Sequence, residues 1–225
     1  MELTKEQIQE IDTYVSSCGV KYYDVKAEIV DHFATVLELQ LEESPKLNFK
    51  QEIINVHRKF SDRGFYNLLE RKTKAVHKKF YRSSLKHLLS FFKLPKVIVS
   101  IALFLGLKEV MKLFTDKEDF FQLLSGIGIL IVFAIYIKEF SRRRKQKESF
   151  LALQKNDSFL QVINMMSVLF NSSITFRSNS GFENELYNSI HIGVFILFML
   201  FYFSGEYVFR QNKKMILEQY PNVIV

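Results

Sequence analysis

The chain has 225 residues, a formal net charge of +7 and 48% hydrophobic residues, among them 23 Phe. With one Cys, eight Gly and three Pro, this composition excludes an internal disulfide framework and a zinc ribbon, and it favours long helices over a strand-rich fold. Such apolar content beside 24% charged residues indicates that polar and apolar residues are segregated along the chain.

Three amphipathic helices are predicted in residues 1–62. Thr4 and Gln7 have capping-box spacing at the start of the first, a second runs from about Tyr23 to Glu43, and a third begins at about Asn48. Their apolar faces are wide enough to share a core and too narrow for a membrane span. The residues at helical spacing are Ile8, Ile11, Val15 and Cys18 in the first helix, Val25, Ile29, Phe33, Val36 and Gln40 in the second, and Phe49, Ile53, Val56 and Phe60 in the third.

The second and third of these helices carry a family resemblance. Residues 20–33, VKYYDVKAEIVDHF, followed by Glu38, Phe49 and residues 56–60, VHRKF, resemble the short helical HAAS-type domain. That domain precedes membrane segments in bacterial sensor- and transport-associated proteins and in some ABC permeases. The resemblance covers about residues 5–62 and implies a cytoplasmic helical adaptor attached to membrane spans, without catalytic residues. The remainder lacks the large extracytoplasmic domain and the nucleotide-binding motifs of a complete ABC permease.

Residues 63–96 are predicted to form a basic amphipathic helix beside the membrane. Residues 1–57 hold five Lys or Arg against eleven Asp or Glu, whereas residues 58–93 hold eleven against two. We expect the basic side to face anionic lipid, where each basic residue contributes about 1 kcal/mol. On a helical wheel the apolar side holds Leu69, Val76, Phe80, Tyr81, Leu88 and Phe92, and the basic side holds Arg71, Lys78, Lys79, Arg82 and Lys86.

Three alternatives for this helix remain open. Clustered Lys and Arg with interleaved Phe80 and Tyr81 are compatible with nucleic-acid binding. Arg82 and His87 have the Arg-x4-His spacing of the HEPN ribonucleases, although about 140° separates them on a straight helix. The acidic helices are also expected to be able to dock against the basic one, within the chain or between subunits.

Four membrane spans are predicted after the basic helix, because these segments are long and mostly apolar. The second is the clearest, whereas charges interrupt the first and polar side chains dilute the third. Two or three spans with an interfacial helix are the alternative. The spans are residues 97–114, 120–137, 159–176 and 190–209, and residues 210–225 form a cytoplasmic tail.

The connecting loops predict the orientation. Residues 138–157 contain seven Lys or Arg, whereas the two opposite loops contain one each, Lys117 and Arg177. By the positive-inside rule this loop and both termini are expected to be cytoplasmic. The resemblance described above implies that the membrane is the inner (plasma) membrane of a bacterium. No apolar stretch precedes the first span, so we expect no cleavable signal peptide and a signal anchor from Val97 onward. Cys18 is then in a reducing compartment.

Polar residues in or near the spans are candidates for a pathway or a partner contact, because an unpaired polar group in hydrocarbon is costly. Interfacial positions at the span ends are the alternative. The candidates are Lys108, Glu109, Gln161, Asn164 and Glu206, and Ser125, Gly126 and Gly128 are predicted to pack helices closely.

No metal site, cofactor or catalytic residue is predicted. Glu28, Asp31 and His32 lie within about one helical turn, and His57 or His77 from another helix is a candidate for a further metal ligand. Side chains on solvated helix faces explain this pattern better. The sequence also lacks a Walker loop, HExxH and GxSxG.

These features predict a regulatory or accessory membrane subunit that acts by binding. Its partners are expected to be the anionic bilayer and a second copy or another membrane protein, with nucleic acid disfavoured. The main alternative is a small oligomeric pore or transport component that permeabilises the membrane, with polar residues of the spans lining a lumen.

Overall fold

The computed structural model describes residues 2–44, 47–60, 65–145, 149–153, 157–177 and 179–221. Helices make up 86% of those residues and none of them is in a strand, which confirms the all-α prediction. The helices are α1 (Lys5–Ser17), α2 (Tyr23–Glu43), α3 (Phe49–Phe60), α4 (Tyr66–Ser90), α5 (Lys96–Lys112), α6 (Lys117–Lys145), α7 (Asp157–Thr175), α8 (Asn179–Phe182) and α9 (Glu185–Gln219), with a 3-10 helix, Leu151–Leu153, between α6 and α7.

Some predicted features fall outside the described residues. They are Lys147 and Lys155 of the basic loop, the boundary between residues 62 and 63, and the last four residues of the tail.

Among the described residues, two helices are long and apolar enough to cross a membrane, by length and composition. They are α6, over Lys117–Arg142, and α9, over Glu185–Gln219. Helix α7 is a shorter apolar helix over Phe159–Thr175. The first predicted span, residues 97–114, falls on the 17-residue α5.

The chain divides into two compact units. Unit 1 contains Met1–Lys78, Lys147–Gln154 and Gln219–Val225, and unit 2 contains Lys79–Gln146 and Lys155–Glu218. Helix α4 contributes to both units. The connection between α6 and α7 and the end of the chain therefore belong to the same unit as α1–α3.

Unit 1 has a single apolar core between its helices. Thr4 and Gln7 form the predicted capping box at the start of α1, and Gly19 turns the chain toward α2 with a φ of +87°. On α2 the deeply buried residues follow steps of four, so Leu37 and Leu41 occupy the core where Val36 and Gln40 were predicted. Each such step turns the helix by about 400°, which carries the apolar stripe slowly around its axis. The buried core residues of this unit are Leu3, Ile11, Val15, Val20, Val25, Ile29, Phe33, Leu37, Leu41, Ile53, Val56, Phe65 and Leu151.

Unit 2 packs around Phe159 at the start of α7. The Phe159 ring lies 5.3 Å from the ring of Phe80 on α4 and 5.1 Å from that of Phe201 on α9. A Cβ at Gly205 of α9 would clash with the same ring, so the absence of a side chain there allows α7 and α9 to approach closely. The second half of α4 contributes the buried residues Phe80, Ser84 and Leu88 to this unit.

The connection between α7 and α9 is fixed by Arg177. Its guanidinium donates to Asn188 Oδ1 at 2.9 Å and to the carbonyl of Gly181, and it lies 4.5 Å from the centre of the Phe182 ring. Asn188 is fully buried and also donates to the Phe182 carbonyl. These contacts close the short turn that contains α8.

Candidate functional site

The carboxylate of Asp24 joins two distant parts of the chain. Its Oδ1 accepts the backbone N–H of Leu151 at 2.9 Å, and its Oδ2 accepts that of Ala152 at 3.1 Å. The neighbouring Tyr23 N–H donates to the carbonyl of Ser149 at 2.8 Å. A carboxylate that accepts the first N–H groups of a helical turn stabilises that turn as an N-cap does, and here the cap comes from another helix. We call Tyr23, Asp24 and the residues 149–153 that they bind the loop clamp.

Apolar and aromatic contacts hold the same segment. Leu151 is 1% exposed and lies in the core that α1–α3 form. The Phe150 ring lies 5.3 Å from the ring of Tyr23 and 5.7 Å from that of Tyr220, and Tyr23 and Tyr220 are themselves 5.3 Å apart. The loop clamp thus also fixes the tail of the chain. Burial, with the nearby charge of Asp24, raises the pKa of Tyr220.

A second cluster in unit 1 surrounds His57 on α3. Its Nδ1 lies 2.8 Å from the hydroxyl of Tyr14 and 3.9 Å from the sulfur of Cys18, and its ring stacks on Phe65 at 4.3 Å. Burial lowers the pKa of His57 and raises the pKa of Tyr14. Both shifts favour the neutral forms, as expected of side chains that join α1 to α3 inside a domain.

Two of the residues considered as metal ligands, Glu28 and His57, have other partners in the structure. Glu28 pairs with Lys72 at 2.6 Å and His57 bonds to Tyr14. Across the part of the chain that the structure describes, no three His, Cys, Asp or Glu side chains are placed to hold a metal ion.

The basic side of α4 is on the surface of the chain. The side chains on it, Arg71, Lys78, Lys79, Arg82 and Lys86, are all exposed. Among the predicted apolar residues, Phe80 and Leu88 are buried, whereas Phe92 lies beyond the end of the helix and is 53% exposed. The ion pair of Lys72 with Glu28 also joins α4 to the acidic α2. Helix α4 therefore has both an ion pair with an acidic helix of the same chain and an exposed basic face.

Arg82 and His87 have different environments. Arg82 is exposed, whereas the His87 ring stacks on Tyr207 at 4.0 Å and its Nδ1 is buried without a hydrogen-bond partner among the described residues. Burial, helped by the charge of Lys96, lowers the pKa of His87. The imidazole acts here as a flat ring between α4 and α9.

A polar stripe runs along one side of α7. Asn171 is held within the chain, since it accepts from the Ser125 hydroxyl of α6 and donates to the Ser167 carbonyl at 2.8 Å. Asn164 and Gln161, two of the predicted intramembrane polar residues, are exposed. A groove of about 620 Å³ lies between α6 and α7, and its lining residues are Ile129, Val132, Phe133, Tyr136, Asn164, Ser167, Val168, Asn171, Ser172, Thr175 and Phe176.

The predicted charged candidates lie in ion pairs. Lys108 lies 4.0 Å from Glu185, and Glu109 pairs with Lys112 at 2.7 Å. Glu206, which is 9% exposed, accepts from Lys138 at 2.8 Å. None of these side chains lines the groove on α7. The charged candidates are therefore held in ion pairs, whereas the neutral candidates Gln161 and Asn164 are exposed on α7.

The three small residues of α6 have different surroundings. Ser125 bonds to Asn171 of α7, and a Cβ at Gly128 would lie 3.6 Å from the Phe195 ring of α9. At Gly126 a Cβ would meet nothing within 4 Å. Ser125 and Gly128 therefore pack helices of the same chain.

The loop clamp was missed by sequence reasoning. A signal for it exists, because Phe150, Leu151 and Leu153 form a short apolar run directly after the basic residues of the loop. Apolar side chains in a solvated loop indicate a docking segment. The site they dock on cannot be read from the local pattern.

Comparison of the chain with family models, with curated proteins and with solved structures finds no match.

Proposed function

We propose that the chain is an integral inner-membrane regulatory or accessory protein that acts by binding. Its N-terminal helical domain binds a protein partner on the cytoplasmic side, the basic face of α4 binds anionic lipid, and the loop clamp couples the domain to the membrane helices. The bond from Asp24 to the segment between α6 and α7 carries this proposal.

The exposed apolar surface of unit 2 supports a membrane location. Only a third of the apolar stretch of α6 is buried, whereas the core helix of a water-soluble protein is mostly buried. A contiguous apolar surface of this kind is costly in water and matches hydrocarbon. The exposed large apolar residues of α5, α6, α7 and α9 include Ile98, Val99, Ile101, Leu105, Leu123, Leu130, Phe133, Ile137, Met165, Leu169, Ile190 and Phe203.

The composition of unit 1 supports four crossings. Residues 149–153 and Tyr220 pack with α1–α3, which supports a topology in which α6 and α9 both end on the side of the bilayer that faces this domain. If α6 and α9 each cross the bilayer toward that side, the helix before each of them must cross in the opposite direction. Helix α5 precedes α6 and α7 precedes α9, and at 1.5 Å per residue they are about 26 and 28 Å long, close to the hydrocarbon thickness.

The loop clamp explains how binding at the domain reaches the membrane. A partner that binds unit 1 and shifts α2 changes the bonds to Leu151 and Ala152, and with them the connection between α6 and α7. A partner that prefers one position of this segment selects that position in proportion to its differential affinity. This coupling changes only non-covalent contacts.

A pore is the second candidate, favoured by one observation. Four neutral polar residues of α7 lie on one side of the helix by their spacing, namely Gln161, Asn164, Ser172 and Thr175, and in a ring of copies such a stripe would line a lumen. Lys108 and Glu109 do not fit such a lumen. Near the end of α5, Lys108 lies in an ion pair with Glu185 and Glu109 in one with Lys112.

Two measurements on the full chain test the proposal. A membrane-impermeant maleimide should label Cys18 in spheroplasts only after permeabilisation, and it should label Glu183→Cys in a Cys18→Ser background without it. Reconstituted into liposomes, the protein should conduct no ions. Labelling of Cys18 from outside would overturn the orientation, and a conducting oligomer would replace the regulatory function by the pore.

A further inference from the structure

We propose that the neutral polar stripe of α7 is the contact surface for a second copy of this chain, with the two Asn164 side chains hydrogen-bonded to each other. This inference rests on the membrane location proposed above and adds the identity of a partner and the surface that binds it.

The stripe consists of two polar pairs, Gln161 with Asn164 and Ser172 with Thr175, and the apolar Val168 lies between them on the same side of α7. At 100° per residue, Asn164, Thr175, Gln161 and Ser172 fall within a sector of about 80°. From residue 161 to residue 175 the stripe extends about 21 Å, which is most of the hydrocarbon thickness. The exposed apolar residues Val162 and Leu169 lie on another side of α7, so a polar face and a lipid-type face are distinct on one helix.

Three side chains of the stripe are without a hydrogen-bond partner in the part of the chain that the structure describes. The described residues provide no hydrogen bond to the side chains of Gln161, Asn164 or Ser172. Asn171, by contrast, is satisfied by Ser125 and Ser167, and Thr175 donates to the Asn171 carbonyl at 3.0 Å. An amide that faces hydrocarbon without a partner is unstable, so Asn164 and Gln161 require an occupant that supplies both donors and acceptors.

A second copy supplies that occupant. Copies inserted in the same orientation are related by a twofold axis along the membrane normal, so α7 meets α7 and a central residue faces its own counterpart. Asn carries two donors and an acceptor and is self-complementary. The stripe is uncharged, so no like charges meet across the axis, whereas a twofold contact through the basic face of α4 would oppose Arg and Lys.

The groove beside the stripe provides room for the contact. Its 620 Å³ lie between α6 and α7, with Asn164, Val168 and Ser172 on one wall and Phe133 and Tyr136 on the other. Side chains of a facing α7 can enter it and cover the polar wall. The small residues of α6 do not compete for this role, because Ser125 and Gly128 already contact α7 and α9 of the same chain.

Disulfide crosslinking in membranes tests this interface while Asn164 stays intact. In a Cys18→Ser background, Val168→Cys lies inside the stripe and Val162→Cys lies on the lipid-type face, both exposed. Mild oxidation should crosslink two copies through Val168→Cys and not through Val162→Cys. Adding Asn164→Leu should lower the crosslinked fraction by about fivefold, the effect expected from losing an interhelical polar contact.

The outcomes separate this inference from the proposed function. Absence of the Val168→Cys crosslink, equal crosslinking through Val162→Cys, or no effect of Asn164→Leu would overturn the α7 interface. In each case the maleimide labelling of Cys18 and Glu183→Cys would still report the orientation. A native mass spectrum showing a monomer with lipid retained in the groove would likewise assign the stripe to a lipid instead of a second copy.

Discussion

Asp24 holds the backbone N–H of Leu151, a residue 127 positions later in the chain, at 2.9 Å. The bond makes the connection between α6 and α7 part of the N-terminal domain. A single carboxylate near the start of α2 therefore binds the segment that connects two apolar helices.

Removing that carboxylate should release the loop clamp. Asp24→Ala deletes the acceptor for Leu151 and Ala152, which should cost about 1–2 kcal/mol of local stability, the usual cost of losing a cap. Hydrogen–deuterium exchange of the full chain in nanodiscs should show the amides of residues 149–153 exchanging roughly tenfold faster. Asp31→Ala, at an exposed position of the same helix, is the control. Unchanged protection of Leu151 would show that apolar burial alone holds the segment.

Unit 1 should lose stability on acidification. Burial lowers the pKa of His57 below its ordinary 6.5, so the unfolded chain binds a proton that the folded domain resists. Stability is full above pH 6.5 and falls as the pH drops through the lower folded pKa. Exchange protection of α1 and α3, corrected for intrinsic rates, should be lower at about pH 5.5 than at about pH 7.5.

His57→Phe retains a flat ring against Phe65 and should remove much of this pH dependence. His32→Gln, which changes an exposed histidine, should leave it in place. A pH dependence unchanged in His57→Phe would assign the titration to another group.

The close approach of α7 and α9 should tolerate no side chain at residue 205. Gly205→Ala places a methyl group against the Phe159 ring, and overpacking of this kind costs about 1–3 kcal/mol. Gly126→Ala is the matched control, because nothing lies within 4 Å of its new Cβ. The thermal unfolding temperature in detergent should fall only for Gly205→Ala, and Phe159→Leu should restore part of it. Equal effects of the two glycine substitutions would contradict this account.

The basic face of α4 should retain anionic lipid during purification. Changing its five basic residues to Gln should lower the amount of co-purified anionic lipid, since each Lys or Arg near the surface contributes about 1 kcal/mol. Lys72→Gln with Lys74→Gln on the same helix is the control, because these side chains pair with Glu28 and Glu70. Lipid analysis by mass spectrometry should separate the two variants, and equal retention would remove the lipid role of the face.

The local features of the fold could be predicted from sequence. The capping box of Thr4 and Gln7 and the extent of α2, Tyr23–Glu43, agree with the structure, because backbone capping and helical periodicity are encoded in neighbouring residues. The buried side of α2 was less accurate, since small rotations of the stripe decide between Val36 and Leu37.

Long-range contacts could not be predicted in this way. Nothing near Asp24 indicates that its partners lie at residues 151 and 152, and nothing near Glu206 indicates Lys138. Such pairs depend on how the helices are arranged in space. Asn164 and Asn171 show the same limit: both are Asn on one side of α7, but within the described ranges hydrogen bonds are made by the side chain of Asn171 and not by that of Asn164.

Unit 1 is built from segments that are synthesised at different times. The ribosome releases α1–α3 first, but Leu151 enters their core only after α6 has been made, and Tyr220 reaches Tyr23 only after α9 has been made. A chain whose later helices fail to insert keeps Phe150 and Leu151 exposed and leaves a gap in the domain. Exposed apolar segments of this kind attract chaperones and proteases, so complete packing of unit 1 depends on the synthesis of α6 and α9.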